Sequence, residues 1–464
     1  MRVMTSLLRN VLGRSVALVM AVALVLSQLM VQQAAAQSLP LIRDAEIEQL
    51  LRDYATPLFR AAGLKPHAVQ VYIIDDRSIN AFVAGGQRVF IHTGLLNEAA
   101  TPNEVIGVLA HETAHIAGGH LTRMQRQLEK ASTAAIIGML VGAAVMVGGG
   151  LTGQGELARG GSGIMMGGQS VAQRSILSYA RAQESAADQG AVRYLDATKQ
   201  SARGMIELFE KLSNQALASS VAVDPYVLSH PMPMDRIRNL EVNARKSPYF
   251  NAEDSPELKA RHAMMQAKLL GFTSSPQRVY QRYPSSDTSA PARYARAIAA
   301  FRTGDIKASL AELDVLQKAQ PKNPYLWELR GQALLETGRV REAVPALQKA
   351  VDMLPNQGIV RIMLAQAMLS TNDPKLVDPA LKHLQVAKRF ESENPQLRSQ
   401  LAIAYARKNN IPMADLETAE AALLTGDLDL AKQKAKRAAG AFKRGTPEWL
   451  RANDIMNLKD ESKK

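Results

Sequence analysis

The sequence predicts a two-part protein: an α+β domain, mostly helical with a small β-sheet, followed by an all-α solenoid. Two observations lead to this fold class. In the first half of the chain, helical spacing of apolar residues alternates with three short β-like runs. In the second half, glycine and proline recur with a period of about 34 residues, which is typical of helical repeat arrays. A chain of 464 residues can bury two or three hydrophobic cores.

The N-terminus has the parts of a secretory signal peptide. Arginines at positions 2, 9 and 14 precede the apolar run 15–26, and Ala34–Ala36 form a small-residue cleavage site. We therefore expect residues 1–36 to be removed. The alternative is a retained membrane anchor, although the run is short for a span. The chain has no cysteine for a disulfide or a lipid anchor, which fits a soluble protein of the bacterial periplasm.

The net charge of +13 is spread along the chain. No basic–aromatic interleaving or nucleic-acid-binding motif accompanies it, so we expect no nucleic-acid partner. Peripheral contact with anionic membrane lipid accounts equally well for a basic protein.

The elements of the first domain follow from local patterns. Residues 41–66 have helical spacing, and a second helix begins at Thr101, with Pro102 at its first position and Glu104 completing a capping box. Between them the chain predicts three strands, with Gly85-Gly86 as a turn. These β-like runs are Ala68–Asp75, Ile79–Ala84 and Arg88–Leu96.

A glycine-rich segment interrupts the first domain at residues 131–170, and its first part, residues 131–155, has no charged residue. Its core could span a membrane, but it lacks flanking aromatic anchors. We expect a mobile or packed apolar segment beside the functional site. Helices are predicted after it, over Arg174–Leu195 and Ala202–Gln215, and the proline-rich residues 276–289 are predicted to be a linker.

The second domain, residues 290–464, contains an internal repeat. Gly304 and Gly338 are 34 residues apart, and so are Pro321 and Pro355. In the clearest unit, Trp327 is followed by small and large residues at the spacing of a tetratricopeptide repeat, where large residues wedge between helices. A third unit has a three-residue insertion near position 374, and weaker helical pairs continue to the C-terminus. The alternative is a non-repetitive helical domain. Repeat arrays bind proteins or peptides on a concave surface.

The stretch "HETAH" predicts a metal site. His111 and His115 lie at i and i+4 on one predicted helix, so both imidazoles can bind one zinc ion. Glu112 lies beside them and can act as the general base that takes a proton from water and delivers it to a leaving amine. His120 is five residues beyond His115, and we expect it to point elsewhere.

Catalytic zinc requires a third protein ligand, with the fourth position left to water. No histidine lies at the spacing of a longer zinc motif, where this chain has Leu121. Glu184, in "ESAAD" on a later predicted helix, is the leading candidate. Asp188, one turn further on, can orient a ligand histidine from the second layer around the metal.

Several motifs occur here in the order of a known family. "NAFVAGGQRVFIHTGLL", "NEVIGVLAHETAH", "ESAAD" and "SHPMPMDRI" resemble the zincin-like metallopeptidases that include prenyl-protein proteases and membrane heat-shock proteases. The resemblance implies one Zn²⁺ on His111, His115 and Glu184, with Glu112 as base, in a metallopeptidase domain over residues 37–275. The segment 131–170 has no counterpart motif.

The resemblance also places His230 over the site, with Arg236 nearby. Two roles stay open for His230: stabilising a developing oxyanion, or occupying the fourth metal position and holding the enzyme inactive. Residues 80–86 would form an edge strand to which a substrate peptide adds as a further strand.

Together these features predict a periplasmic zinc endopeptidase with a tetratricopeptide-repeat domain. The resemblance implies that its substrates are unfolded or misassembled outer-membrane proteins and that its repeats contact the outer-membrane β-barrel assembly machinery. The alternative is an adaptor or chaperone of that machinery with residual proteolysis. A more distant alternative is a membrane-embedded protease.

Overall fold

The computed structural model describes residues 40–127, 178–218, 230 and 234–458. The described residues from Ile42 onward belong to one compact unit. They form a small sheet with helices around it, followed by a long series of helices. The predicted fold class is therefore confirmed.

The sheet and its first helix come from the N-terminal part of the described chain. The helix α1 (Ala45–Ala61) begins after Asp44, whose side chain accepts a hydrogen bond from the Ile47 N–H. The strands are β1 (Leu41–Ile42), β2 (Gln70–Ile74), β3 (Ala81–Ala84) and β4 (Arg88–His92).

The four strands lie in the order β1-β2-β4-β3. Strand β2 runs parallel to β4, with Gln70 opposite Arg88, whereas β3 is antiparallel to β4. Gly85 and Gly86, with φ of 57° and 93°, form the turn between β3 and β4. Three residues, 85–87, connect the paired residues Ala84 and Arg88, and glycine adopts the two successive positive φ values of this short loop without strain. Strand β3 ends the sheet order and is an edge strand.

Several predicted boundaries were wrong. The helix predicted over residues 41–66 spans only Ala45–Ala61, and Leu41–Ile42 form a strand instead of its start. The third β-like run ends at His92 rather than continuing to Leu96. The chain turns at this point because Gly94 N–H and the Thr93 hydroxyl both donate to the Asp76 carbonyl. The residues after His92 therefore begin a helix.

Seven helices complete the first domain in the described ranges. They are α2 (Thr93–Glu98), α3 (Pro102–Ala117), α4 (residues 120–127), α5 (residues 178–197), α6 (Arg203–Ala218), α7 (Met234–Ala244) and α8 (Pro256–Thr273).

Helix α3 lies in the centre of this domain. Thr101 caps it by accepting the Glu104 N–H, as predicted, while the Glu104 carboxylate accepts the Ala100 N–H rather than that of the cap residue. Nearly every residue in the first three turns is buried. At Gly107 a Cβ atom would lie 2.5 Å from Cβ of Met205, so α6 crosses α3 at a distance that only glycine permits. This packing fixes the helix that carries the predicted metal ligands.

The second half of the chain is built from helical pairs. The helices are α9 (Pro276–Arg282), α10 (Ala290–Arg302), α11 (Ile306–Ala319), α12 (Pro324–Glu336), α13 (Val340–Met353), α14 (Gly358–Ser370), α15 (Val377–Ala387), α16 (Pro395–Arg407), α17 (Ile411–Leu424), α18 (Leu428–Ala441) and α19 (Pro447–Met456). A 3-10 helix, Pro374–Leu376, coincides with the predicted insertion in the third unit.

The repeat spacing has a structural cause. Gly304 and Gly338 have φ of 86° and 78° and end the first helix of their pairs, and Asn372 and Asn409 take the same left-handed conformation in later pairs. At Gly331 a Cβ atom would lie 2.3 Å from the Leu347 side chain, so α12 and α13 cross closely.

The segment predicted as a linker is more ordered than its composition suggests. Residues 276–282 form α9, and Val279 is fully buried in a cluster with Tyr294 and Ile298 of the first repeat. Ser275 caps this helix and Pro276 occupies its first position, so proline here starts a helix rather than extending a loop.

Two predicted segments lie outside the described residues: the signal peptide at 1–36 and the glycine-rich segment at 131–170. Among the helices that the structure describes, none has the length and apolar character needed to cross a membrane.

Candidate metal centre

Helix α3 presents two imidazoles towards the same point. The Nε2 atoms of His111 and His115 lie 3.0 Å apart. His111 is fully buried and the His115 side chain is 13% exposed. The i, i+4 spacing therefore places both nitrogens where they can share one ligand, as the sequence predicts.

Helix α5 adds a carboxylate to this pair. The Glu184 oxygens lie 3.4 Å from Nε2 of His111 and 3.4 Å from Nε2 of His115. Helix α5 comes this close to α3 at Gly190, where a Cβ atom would lie 2.7 Å from Cβ of Ala114. The two elements that carry the candidate ligands are thus held together by direct helix packing.

Asp188 lies one turn beyond Glu184 and contacts the other side of the first histidine. Its Oδ1 is 3.1 Å from Nδ1 of His111, the ring nitrogen that faces away from the cluster. The prediction that Asp188 orients a ligand histidine stays a prediction, and this contact agrees with it.

His230 lies in the same cluster rather than merely near it. Its Nδ1 is 3.0 Å from Oε2 of Glu184 and 3.4 Å from Nε2 of His111. Its Nε2 is 3.6 Å from Oε1 of Glu112. One ligand atom from each of His111, His115, Glu184 and His230 lies within 4.8 Å of the others.

Arg236 of α7 joins the carboxylates of α5. Its Nη1 lies 2.9 Å from Oε2 of Glu184, and its Nε and Nη2 donate to the two Asp188 oxygens at 2.7 Å each. The guanidinium also lies 5.5 Å from the centroid of the Phe209 ring. A planar bidentate donor fixes the orientation of a carboxylate as well as its charge. Arg236 therefore positions both acidic residues.

The expectation that His120 points away from the site was wrong. Its Nδ1 lies 3.0 Å from Nδ1 of His115. The spacing argument assumes a continuous helix, whereas Gly118 ends α3 and Gly119, with φ of 61°, turns the chain back. The two glycines were visible in the sequence and are the signal that the spacing argument left out.

The surroundings of the cluster shift the pKa values of its members in different directions. Burial acts to lower the pKa of His111, but Asp188 and Glu184 outweigh it and raise that pKa to about 9. Burial, together with His111, lowers the pKa of His115 to about 2. Burial acts to raise the pKa of Glu184, yet hydrogen bonds with His111 and His230 lower it. The favoured pattern is a neutral His115 beside a charged Glu184.

Glu112 is placed differently from these residues. It is 1% exposed, and neither of its carboxylate oxygens accepts a hydrogen bond from the residues that the structure describes. Burial raises its pKa. A buried acceptor without a donor costs free energy, so the Glu112 carboxylate can accept a hydrogen bond from a group beyond the described residues.

The donor atoms fit a divalent metal. Two imidazole nitrogens and one carboxylate oxygen are the protein ligands of several catalytic zinc sites, in which a fourth position is left open. The Glu112 carboxylate lies next to this set, and the prediction that it acts as the general base stays a prediction.

Comparisons with known proteins agree with this geometry. Residues 41–244 match peptidase family M48, and residues 294–358 match the tetratricopeptide repeat. The β-barrel assembly-enhancing protease of Escherichia coli (strain K12) is 24% identical over 419 residues, covering 89% of this chain and 83% of that protein.

Two other relatives match shorter parts of the chain. The putative β-barrel assembly-enhancing protease of Vibrio cholerae is 28% identical over 212 residues, 45% of this chain and 41% of that protein. A protease HtpX homolog of Bacillus licheniformis is 44% identical over 81 residues, 17% of this chain and 27% of that protein. The chain therefore carries a peptidase domain of family M48 followed by tetratricopeptide repeats, and it is a metalloendopeptidase.

Proposed function

We propose that the chain is a zinc endopeptidase in which His111, His115 and Glu184 bind the metal and Glu112 is the general base. The observation that carries this proposal is the convergence of these ligand atoms from α3 and α5 next to a buried carboxylate that accepts no hydrogen bond from the part of the chain that the structure describes. Asp188 holds His111 from behind, and Arg236 holds both Glu184 and Asp188.

The residues divide the chemistry between them. When bound, zinc would supply Lewis acidity, which polarises a peptide carbonyl and makes water a stronger acid. Glu112 takes the proton of the attacking water and passes it to the amine that leaves. Burial raises the pKa of Glu112, which makes its carboxylate a stronger base for the first step. The leaving amine is more basic than a carboxylate, so it takes the proton at the second step.

Strand β3 is the proposed docking edge for the substrate backbone. The Asn80 carbonyl accepts the His92 N–H. In an antiparallel pair the hydrogen-bonding direction alternates along the strand. Asn80 and Phe82 therefore point their backbone groups at β4, whereas Ala81 and Val83 point theirs away from it. An extended peptide can pair with these outward groups through its main chain, with little dependence on sequence.

His230 is proposed to restrain the enzyme. Its imidazole already lies among the metal-binding atoms, so it can occupy a fourth coordination position and exclude water. This arrangement favours the inhibitory role over the oxyanion role, because an oxyanion donor has to face the substrate rather than the ligand set.

We also propose where the enzyme acts and on what. The first 36 residues contain arginines, then an apolar run, then a small-residue cleavage site, and this order supports export to the periplasm. The similarity to β-barrel assembly-enhancing proteases over 89% of the chain supports unfolded or misassembled outer-membrane proteins as substrates. The repeats are proposed to contact the outer-membrane β-barrel assembly machinery.

Two variants of the purified protein test the ligand set and the base together. Metal content is measured by atomic spectroscopy, and hydrolysis is measured on an unfolded protein. Glu112→Gln is expected to keep about one zinc per chain and to lose hydrolysis by about 10²–10⁴-fold, because it removes a base and not a ligand. Glu184→Ala is expected to lose the metal.

Two results would contradict the proposal. Zinc bound as tightly by Glu184→Ala as by the wild type would remove Glu184 from the ligand set. A Glu112→Gln variant that hydrolyses protein normally would remove the base, and one that also supports full function in cells would favour the adaptor alternative.

A further inference from the structure

Two consecutive glycines return His120 to the end of α3. Gly118 is the C-cap residue, and Gly119 has the positive φ that reverses the chain. A Cβ atom on Gly118 would lie 2.3 Å from Nε2 of His120, so the imidazole lies directly against the glycine. His120 is 7% exposed, and its ring meets the ring of His115 edge-on at 4.9 Å. The local backbone is therefore built to bury this ring beside His115.

The two rings meet through the nitrogen of His115 that faces away from the metal-binding cluster. Nε2 of His115 faces His111 and Glu184, and Nδ1 lies 3.0 Å from Nδ1 of His120. A neutral imidazole has one N–H and one lone pair. If His120 donated this bond, the only lone pair of His115 would be used at Nδ1, and Nε2 would carry a proton instead of binding a metal.

We propose that His120 is a positioning residue whose Nδ1 accepts the Nδ1–H of His115 and thereby presents the Nε2 lone pair of His115 to the metal. The inference rests on the proposed function, since it requires His115 to be a ligand. It assigns a role to a residue outside the motif "HETAH" and explains why the chain turns sharply after it.

The other two proposed ligands, His111 and Glu184, each also contact a side chain outside the ligand set. His111 contacts the Asp188 carboxylate, and Glu184 contacts the Arg236 guanidinium. His120 differs from these because it is a neutral acceptor. It fixes the tautomer and the angle of the His115 ring without adding another negative charge to a cluster that already contains three carboxylates, those of Glu112, Glu184 and Asp188.

An isosteric pair of substitutions separates hydrogen bonding from packing. In His120→Asn the side-chain Oδ1 is the same number of bonds from the backbone as Nδ1 of histidine and accepts the same proton. In His120→Leu the side chain has the same branching as asparagine but no acceptor. Zinc affinity is measured by competition with a chromophoric chelator, the Co²⁺ form is examined by its d–d absorption, and thermal unfolding is measured on the metal-free proteins.

We expect His120→Leu to weaken zinc binding by about 10- to 100-fold, the usual effect of losing such an outer partner. The zinc affinity of His120→Asn is expected to stay within a factor of about three of the wild-type affinity, because asparagine keeps the hydrogen-bond acceptor. The Co²⁺ spectrum should change in the leucine variant and be retained in the asparagine variant. Equal affinities for the two variants would overturn the proposal, and so would losses that follow the unfolding temperatures of the metal-free proteins.

His115→Ala in the same assay separates this inference from the proposed function. If His115→Ala binds zinc as the wild type does, the ligand set itself is wrong. If His115→Ala loses the metal while His120→Leu keeps it, the ligand set stands and only the role of His120 is refuted.

Discussion

Two buried glutamates of the cluster, Glu184 and Glu112, differ in their hydrogen bonding and have opposite pKa shifts. Glu184 accepts hydrogen bonds from His230 and contacts the Arg236 guanidinium, so its charged form is stabilised. Glu112 accepts no hydrogen bond from the described residues, so burial dominates and its pKa is raised. The surroundings therefore shift the pKa values of the two carboxyl groups in opposite directions, which supports the proposal that Glu184 is a ligand and Glu112 an acid–base group.

His230→Ala distinguishes the two roles of this residue. We expect faster hydrolysis of unfolded protein, because the substitution frees the fourth coordination position. If the capped state is favoured by about 1.4 kcal/mol, about one molecule in ten is open, and removal of the cap raises the rate about tenfold. An oxyanion donor would give the opposite sign, a fall of about 10²–10³-fold.

The control for this variant is a double substitution. His230→Ala combined with Glu112→Gln should be inactive, which shows that the gained hydrolysis comes from this site. Unchanged activity of His230→Ala would mean that the histidine only fills space beside the cluster.

The sequence predicted which residues form this cluster, but it did not predict the contacts that Arg236 and His120 make with them. The spacing of His111 and His115 follows from helix geometry, so it is readable without a structure. The bidentate contact of Arg236 and the return of His120 depend on how α7 packs on α5 and on a glycine turn. Such contacts join residues that no regular period links, and sequence patterns do not report them.

At the scale of elements, strand β3 combines two properties. Val83 packs partly against the core of the first domain, while its backbone groups point away from β4. The strand can therefore be changed at its outer edge without breaking its pairing with β4.

Val83→Pro tests whether the outer edge of β3 pairs with the substrate. Proline removes the outward N–H of this residue, and proline is tolerated on edge strands. We expect KM for unfolded protein to rise about five- to tenfold, corresponding to the loss of about one hydrogen bond of roughly 1 kcal/mol or slightly more. Hydrolysis kinetics provide the measurement.

Val83→Ala is the matched control, since it removes the same packing and keeps the N–H. If alanine and proline raise KM equally, packing explains the effect and β3 is not the docking edge. Phe82→Pro is a second control and should unfold the hairpin, because the Phe82 N–H points at β4.

In the repeats, Trp327 is expected to hold α12 against its neighbours. Its ring packs against the core around Leu347 and Leu364, and Nζ of Lys349 lies 3.8 Å from the ring centroid. The ring is only partly buried, so Trp327→Ala should destabilise the chain by about 3 kcal/mol, the lower end of the range for buried aromatic residues. Urea unfolding measures this change.

Lys349→Ala removes the cation from the face of the ring and should cost only about 0.5–1 kcal/mol. A Trp327→Ala variant with unchanged stability and lost protein binding would instead make Trp327 a contact residue of the repeat surface.

At the scale of the whole molecule, the first domain and the repeats share a buried charged cluster. Lys268 of α8 is 1% exposed, and its Nζ lies 2.7 Å from Asp44, 3.3 Å from Glu46 and 3.6 Å from Glu328. The Tyr294 hydroxyl donates to Glu46 at 2.7 Å. One lysine faces three acidic side chains, so the cluster has an excess of negative charge when all of them are ionised.

A second contact joins the same regions. Arg43 forms ion pairs with Glu48 of α1 and with Glu391, which follows α15, both at 2.7 Å. Gln357 donates to the Ala45 carbonyl. The start of α1 is thus held by several repeats at once. Sequence patterns located the repeats, but pairs separated by hundreds of residues have no signature in a single sequence.

The excess of acid in this cluster predicts a pH dependence of stability. Burial raises the pKa of Glu328 to about 7, although Lys268 opposes the shift. The folded chain therefore binds more protons than the unfolded chain between about pH 4.5 and pH 7. The stabilising contribution of this group is complete below pH 4.5 and is lost as the pH rises through 7.

Glu328→Gln removes this titration while keeping the shape of the side chain. Relative to the wild type, the variant should gain about 1–3 kcal/mol of unfolding free energy between pH 5 and pH 8, because one pKa unit corresponds to about 1.4 kcal/mol. Urea unfolding at both pH values measures the difference. Glu336→Gln, an exposed site on the same helix, controls for general charge effects. If both variants keep the pH dependence of the wild type, Glu328 does not titrate in this range. If Glu328→Gln alone loses part of that dependence, hydrogen exchange of the wild type in α1, α8 and α12 should show whether the contact between the first domain and the repeats loosens before the rest of the chain unfolds as the pH rises.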